Sequence, residues 1–149
     1  MRVLVDTNIL TRGVQPGHAQ HAPALASMQV LKTQGKSLVI AAQSLYEFWV
    51  VATRPAAQNG LAMTITETYQ TVVKLRSQFE ILYDSQLVLD RWFHLVVHYD
   101  VSGKPAHDAR PAAVTEANGI NEILTFNGGD FKRYAWLTVY SPEDLTQSP

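Results

Sequence analysis

The feature that most constrains the fold is an alternation of short, largely apolar segments with longer amphipathic ones. The short segments have strand length and are almost entirely apolar: residues 3–5, 38–41, 81–83, 123–125 and 137–140. Strands that are apolar throughout are typical of a parallel sheet whose two faces are both covered. The sequence therefore predicts about five mainly parallel strands.

The longer segments place apolar residues at helical spacing, and this periodicity predicts helices between the strands. These helices span residues 18–33, 45–53, 65–78, 85–98 and 109–118. Thr64 and Glu67 match a capping box, and Asp84 and Asp108 are the expected N-caps of the helices that follow them. Strands that alternate with helices indicate a three-layer α/β fold, in which ligands bind beyond the carboxyl ends of the strands.

Length and composition narrow the class of protein. A chain of 149 residues fits a single domain spanning residues 1–149, and it contains no cysteine for disulfides or thiolate metal sites. No apolar run approaches the roughly 20 residues of a membrane-spanning helix, and no signal-peptide pattern is present. We therefore expect a cytoplasmic protein without a membrane partner. The net charge of −1 argues against a protein that coats nucleic acid without specificity, because such proteins are usually basic. It still allows local binding of a few phosphates.

Four carboxylates fall where the predicted strands and helices meet. Asp6 follows the first strand, and Asp130 comes just after the fourth. Glu47 lies in the first turn of the helix after the second strand, and Asp108 begins the helix that leads into the fourth. Two unit charges about 4 Å apart repel by about 4 kcal/mol at an effective dielectric near 20, so converging carboxylates must protonate or bind cations. Oxygen ligands favour Mg²⁺ or Mn²⁺.

Each carboxylate also has a purely structural interpretation. Ser44 and Glu47 match a capping box, Asp108 can be a simple N-cap, and Asp130 can be an N3 residue behind an Asn127 cap. Acidic residues in a first helical turn are stabilised by about 0.3–1 kcal/mol each. The spacing alone leaves open whether the four side chains converge.

Three blocks of sequence carry a resemblance to a known family. They are "VLVDTNIL" at the start, "SLYEFWVVATRP" in the middle and "HDARPAAVTEANGINEILTFNGGDF" near the end. In this order and spacing they resemble the PIN-domain nuclease family, and in particular the VapC-like toxins of type II toxin–antitoxin systems. The resemblance covers nearly the whole chain and implies a three-layer PIN-like domain.

The resemblance also implies a site and an activity. Asp6, Glu47, Asp108 and Asp130 become the catalytic, metal-binding quartet. Polar support is expected from three further residues: Asn8, Thr125 and Asn127. The implied activity is that of an Mg²⁺- or Mn²⁺-dependent endoribonuclease, which hydrolyses RNA to 5′-phosphate and 3′-hydroxyl ends. The implied partners are an RNA substrate, a cognate antitoxin protein and a second copy of the chain in a homodimer.

Two details near Asp108 bear on the site. Pro111 costs little if Asp108 is the N-cap, because the proline then lies in the first turn, whereas a helix starting earlier would be kinked. Basic residues flank the acidic blocks and are candidates for contacts with RNA phosphates: Arg12, Arg54, Lys104, Arg110, Lys132 and Arg133. Arg110 has the strongest case because it neighbours Asp108. Three interpretations of His107 stay open: it orients a carboxylate, it contacts RNA, or it has only a structural role.

Three other functions remain open at the level of sequence. A housekeeping RNA-processing nuclease would use the same fold and the same acids. A non-catalytic module would bind RNA or a protein without cleavage. A phosphatase or phosphotransferase with an aspartyl nucleophile usually carries a second aspartate two residues after the first, but this chain has Asn8 there.

Overall fold

The central element is a five-stranded sheet in the computed structural model, which describes residues 1–147. The strands are β1 (Arg2–Val5), β2 (Ser37–Ala41), β3 (Glu80–Leu82), β4 (Glu122–Leu124) and β5 (Thr138–Tyr140). Their order is β3-β2-β1-β4-β5, and every neighbouring pair is parallel. The predicted α/β class and the five parallel strands are confirmed.

The helices connect the strands and cover the sheet. They are α1 (Thr7–Gly13), α2 (His21–Thr33), α3 (Ala42–Thr53), α4 (Ile65–Gln78), α5 (Gln86–His98), α6 (Lys104–Asp108), α7 (Arg110–Ala117) and α8 (Pro142–Thr146). Short 3-10 turns span Ala56–Gln58 and Gly128–Phe131. The sequence did not predict α1, α6 or α8, because five to seven residues are too few to show helical periodicity. No helix within residues 1–147 has the length and apolar character needed to cross a membrane.

Two hydrophobic cores lie on opposite faces of the sheet, as the alternation of side chains along a strand requires. Val3 and Val5 of β1 belong to one core, together with Phe48 of α3. Leu4 belongs to the other, together with Leu95 of α5. All five side chains are at most 1% exposed, so β1 is the buried centre of a three-layer arrangement.

The N-caps of α4 and α5 test the helix boundaries that the sequence predicted. Thr64 and Glu67 form the predicted capping box, with N–H···O distances of 3.1 and 3.2 Å. The prediction that Asp84 caps α5 is wrong by one residue, because the hydroxyl of Ser85 accepts from the backbone N–H of Val88.

The prediction that Asp108 is an N-cap is also wrong. The helical segment begins earlier, at Lys104, and Asp108 is the last residue of α6. Ala109 separates this helix from α7, where Pro111 lies in the first turn. Proline has no N–H to donate to the carbonyl of His107, and its ring would crowd that carbonyl, so a continuous helix is disfavoured. The break leaves Asp108 at a junction between two short helices.

Candidate active site

A cleft of about 600 Å³ lies at the carboxyl edge of the sheet, and all four predicted acids line it. Asp6 comes from the end of β1, Glu47 from α3 and Asp108 from the end of α6, while Asp130 lies in the 3-10 turn after β4. The topology thus brings together side chains that are up to 124 positions apart in sequence. Spacing alone left this convergence open.

Asp6 is held more tightly than a surface carboxylate. Its Oδ1 accepts from the backbone N–H of Thr7 at 2.8 Å and caps α1, while its Oδ2 accepts from the hydroxyl of Thr125 at 2.8 Å. Burial raises the pKa of Asp6 above its ordinary value, and the charges of Glu47 and Asp130 add to this shift against the two hydrogen bonds. Ionised Asp6 is therefore short of compensating positive charge.

Thr125 connects Asp6 to a small polar network. The Thr125 Oγ1 accepts from the Asn8 side-chain amide at 3.2 Å and from the backbone N–H of Asn127 at 3.0 Å. The Asn8 carbonyl oxygen in turn accepts from the backbone N–H of Phe126 at 3.1 Å. Since the two acceptor positions of the Thr125 hydroxyl are filled, its one proton is directed at Asp6. The network therefore fixes the orientation of the Asp6 carboxylate.

Glu47 is positioned by two residues that sequence reasoning did not single out. Its Oε2 accepts from the hydroxyl of Thr7 at 2.8 Å, and its Oε1 accepts from the side-chain amide of Gln43. The predicted Ser44–Glu47 capping box is wrong, because α3 starts at Ala42 and Glu47 lies in the second turn. Gln43 stands four residues before Glu47 and so shares its helix face. A prediction that started α3 at Ala42 would have placed Gln43 and Glu47 on the same face of one helix.

Asp108 and Asp130 are less enclosed. Asp108 is half-buried, and its helix α6 is attached to α5 by a hydrogen bond from the Trp92 indole to the carbonyl of Ala106 at 2.6 Å. Asp130 is exposed, and the buried Phe131 beside it anchors the turn. These two carboxylates have more freedom to adjust than Asp6 and Glu47.

The donors fit a hard divalent cation by chemistry, since four carboxylates and no thiolate line the cleft. The raised pKa of Asp6 is consistent with a site where a cation would offset buried negative charge. Within residues 1–147, however, no three histidine, aspartate or glutamate side chains are gathered closely enough to hold one ion. Binding of a divalent cation would therefore require some of these side chains to rotate. Asp108 and Asp130 are the freest to do so.

The basic candidates separate into two groups. Arg12 lines the cleft, as do Arg54 and the exposed His107. Arg110 does not line it, and its guanidinium lies 3.6 Å from the carboxylate of Asp84. The remaining candidates lie outside the cleft lining: Lys104, Lys132 and Arg133. Proximity to the acids in sequence was therefore a weak guide to proximity in space.

Several solved structures share this fold at low sequence identity. VapBC2 from Rickettsia felis, bound to a DNA fragment from its promoter, is 17% identical with a TM-score of 0.69; the match covers 95% of this chain and 98% of that one. A toxin–antitoxin complex from Klebsiella pneumoniae is 24% identical, with a TM-score of 0.63 and coverages of 94% and 97%. Mycobacterium tuberculosis VapC20, a sarcin–ricin loop cleaving toxin, is 19% identical, with a TM-score of 0.63 and coverages of 89% and 95%.

Sequence comparison gives the family directly. No curated protein has significant sequence similarity to this chain. The sequence profile of the PIN domain, in contrast, matches residues 3–137. That match spans most of the chain and includes the four carboxylates of the cleft together with Asn8 and Thr125. The chain therefore belongs to the PIN domain family.

Proposed function

We propose that this protein is a metal-dependent endoribonuclease that hydrolyses RNA phosphodiester bonds. The observation that carries the proposal is the convergence of Asp6, Glu47, Asp108 and Asp130 on one open cleft at the carboxyl edge of the sheet. Membership of the PIN domain family, whose members are nucleases, supports it. The cleft provides no compelling nucleophilic side chain, so hydrolysis by water without a covalent intermediate is the reaction class that fits.

In this proposal, some residues hold the metal ion and others orient the carboxylates that hold it. Asp6 and Glu47 would hold Mg²⁺ or Mn²⁺, and Asp108 and Asp130 would complete the set of donors. When bound, such an ion supplies an acidified water and charge neutralisation for attack on phosphorus. Thr125 orients Asp6, and Thr7 orients Glu47 through its hydroxyl. The expected products carry 5′-phosphate and 3′-hydroxyl ends.

We further propose that the protein is the cytoplasmic toxin of a toxin–antitoxin pair and forms a homodimer. The shared fold with the Klebsiella toxin–antitoxin complex and with Rickettsia VapBC2 supports an antitoxin partner. Two helices also present apolar stripes to solvent, each at helical spacing: Ile65, Tyr69 and Val73 on α4, and Leu89, Phe93 and Val97 on α5. These stripes are candidate surfaces for the antitoxin and for a second copy of the chain.

The direct test is cleavage of total bacterial RNA by the purified protein. Discrete products are expected with Mg²⁺ or Mn²⁺, and none with EDTA, because the proposed reaction depends on a cation, held by the four carboxylates, to acidify the attacking water. Sequencing of the product ends would identify the cleaved RNA and the chemistry of the ends. Restoring cleavage by adding Mg²⁺ back to the EDTA-treated protein would show that chelation had not unfolded it.

Other outcomes point to the alternative functions. A folded protein that cleaves nothing with either metal would contradict the nuclease proposal and favour a binding module. Cleavage that trims precursor RNAs, in a protein whose expression does not arrest growth, would favour a housekeeping nuclease over a toxin. Co-expression with the product of a small neighbouring reading frame would test the antitoxin separately.

Replacing Thr125 with valine tests the polar network around Asp6. The substitution keeps the shape of a buried β-branched residue but removes the proton donated to Asp6 and the acceptor used by Asn8. Loss of a residue that orients a metal ligand typically costs about 10–100-fold in metal affinity or activity. We expect a loss of this size in the cleavage rate, with a higher Mg²⁺ concentration needed for half-maximal rate, measured by initial rates across a Mg²⁺ titration.

Thr138→Val is the matched control for this experiment. Thr138 is exposed on β5, and its side chain does not line the cleft. Its replacement should leave the rate and the Mg²⁺ dependence unchanged. If Thr125→Val behaved like the control, Thr125 would have no orienting role.

A further inference from the structure

Two positively charged side chains share the wall of the acidic cleft. Arg12 and Arg54 both line it, from the last turn of α1 and from the C-terminal end of α3 respectively. Neither guanidinium lies within 4.0 Å of a carboxylate among residues 1–147, where the ion pairs involve other cations. The protein therefore leaves both charges without a carboxylate partner despite four acids in the same cleft.

Arg12 is oriented by neutral partners. Its Nη1 donates to the side-chain carbonyl of Gln15 at 2.8 Å, and its Nε donates to that of Gln20 at 3.2 Å. Amide oxygens fix the direction of the guanidinium fork without cancelling its charge. The remaining N–H groups of the fork are thus held in place with a full positive charge.

Arg54 is held by the loop that follows it. Its Nη2 donates to the backbone carbonyl of Asn59 at 3.3 Å, and its Nε is buried with no hydrogen-bond partner within residues 1–147. A buried donor left unpaired costs about 1–3 kcal/mol, more for a charged group. The fold therefore leaves one donor of this guanidinium unpaired in the wall of the cleft.

The loop has a shape that depends on one glycine. Gly60 passes so close to Arg54 that a Cβ atom there would lie 1.9 Å from the Arg54 carbonyl oxygen. Asn59 adopts a left-handed conformation with φ of 62°, and the N–H of Ala62 donates to the Arg54 carbonyl at 3.0 Å. The loop is therefore folded against Arg54, and it fixes the base of the side chain.

The two arginines lie at similar distances from the carboxylates. Arg12 is six residues after Asp6, and Arg54 is seven residues after Glu47. With a rise of about 1.5 Å per residue, the backbone of each arginine lies about 9–11 Å along the helix from the backbone of the acid. Helices α1 and α3 pack side by side, and both arginines line the same cleft.

We propose that Arg12 and Arg54 together form a subsite for a backbone phosphate of the RNA that flanks the phosphodiester that is cleaved. This inference rests on the proposed function and adds the path of the substrate to it. Arginine forks match phosphate oxygens bidentately and read no base, so the subsite positions a strand without selecting a sequence. It also offsets the repulsion between the polyanion and the four carboxylates.

The test measures binding apart from cleavage. A 12-nucleotide oligouridylate labelled with fluorescein would be titrated in EDTA, by fluorescence anisotropy, at KCl concentrations between 50 and 200 mM. The proteins are the wild type, Arg12→Gln, Arg54→Gln, the double variant and Arg54→Lys. The matched control is Arg76→Gln, which removes an exposed arginine of α4 outside the cleft.

Each single glutamine variant should bind about 10-fold more weakly, since it loses a charged hydrogen-bonding partner. The slope of log K against log salt should become shallower by about 0.7 for each arginine removed, and by about 1.4 in the double variant. Arg54→Lys should keep the wild-type slope but lose affinity, because it retains the charge and lacks the fork. Arg76→Gln should match the wild type in both respects.

Wild-type affinity and slope in the double variant would overturn the inference while leaving the nuclease proposal intact. Conversely, arginine-dependent binding without metal-dependent cleavage would support the subsite and contradict the nuclease. A wild type that binds no oligonucleotide would overturn the subsite. Circular dichroism of every variant checks the fold, and Arg54→Lys and Arg12→Gln keep the test decisive should Arg54→Gln unfold.

Discussion

Replacing Asp6 with asparagine is expected to abolish RNA cleavage while the fold is kept. Asparagine has the same size, and its carbonyl oxygen can still accept from the N–H of Thr7 and cap α1. It carries no charge for a divalent cation and breaks the acidic set at its most buried member. We expect a loss of at least about 10³-fold in the cleavage rate, which corresponds to about 4 kcal/mol in the barrier. Initial rates with Mg²⁺ and with Mn²⁺ measure it.

The same variant should lose the electrostatic penalty that ionised Asp6 imposes on the fold in the absence of metal. Burial raises the folded pKa of Asp6 above its ordinary value of 3.8, so the ionised form opposes folding at neutral pH. The contribution of Asp6 to stability is therefore full below 3.8 and is lost as the pH rises through the folded pKa. Thermal unfolding in EDTA should therefore show the stability of Asp6→Asn, relative to that of the wild type, rising as the pH increases from acid to neutral.

Full activity of Asp6→Asn would contradict the assignment of the site. An inactive variant that also unfolds several degrees earlier would show that the substitution damaged the fold, and its inactivity would then say nothing about chemistry. Asp144→Asn provides the matched control, because Asp144 is exposed on α8 and does not line the cleft. Its rate should equal that of the wild type, and its stability should fall by no more than about 1 kcal/mol, because Asp144 lies in the first turn of α8.

The sequence predicted the sheet well because its buried strands consist almost entirely of apolar residues. Residues 3–5 and 38–41 are continuously apolar, which few structures other than a covered parallel strand require. The helices that escaped prediction are short and depend on tertiary contacts. The helix α6, for example, is attached by the Trp92 indole, a contact that no local pattern indicates.

The candidate site was predictable to the extent that it follows from strand ends. Asp6 directly follows a strand, so its place at the carboxyl edge needs only the parallel sheet. Glu47 and Asp108 depend on helix boundaries: α3 starts three residues before the predicted position 45, and the short helix α6 that ends at Asp108 was not predicted. Arg54 reaches the cleft through a loop folded over Gly60, and such a close backbone approach has no signature in a single sequence.

The opposite edge of the sheet contains a buried ion pair that sequence patterns did not indicate. Lys36 Nζ lies 2.8 Å from Glu122 Oε1, which also accepts from the hydroxyl of Tyr140. The side chain of Glu122 is 6% exposed and that of Lys36 is 18% exposed. Burial raises the pKa of Glu122, but the hydrogen bonds from Lys36 and Tyr140 outweigh it, and the pKa lies below its ordinary value.

Lys36→Met is expected to destabilise the protein, because it leaves the charge of Glu122, whose side chain is almost fully covered, without its cationic partner. The free energy of unfolding in urea measures this loss. The lowered pKa of Glu122 gives a stability contribution that is present above its ordinary value of 4.5 and is lost as the pH falls through the folded pKa. The difference between wild type and variant should therefore be largest near neutral pH and shrink on acidification.

Two further variants distinguish the cost of leaving the Glu122 charge unpaired from the cost of losing an ion pair. Glu80→Gln removes the exposed ion pair with Arg2, whose side chains are 37% and 53% exposed, and should cost less than about 1 kcal/mol. The double variant Lys36→Met with Glu122→Leu removes both buried charges and should regain most of the loss, since apolar replacements of a buried pair are often neutral. If the double variant were as unstable as Lys36→Met, packing of the lysine stem would be the cause. Recovery would show that Lys36 acts by neutralising a carboxylate that the fold has already buried.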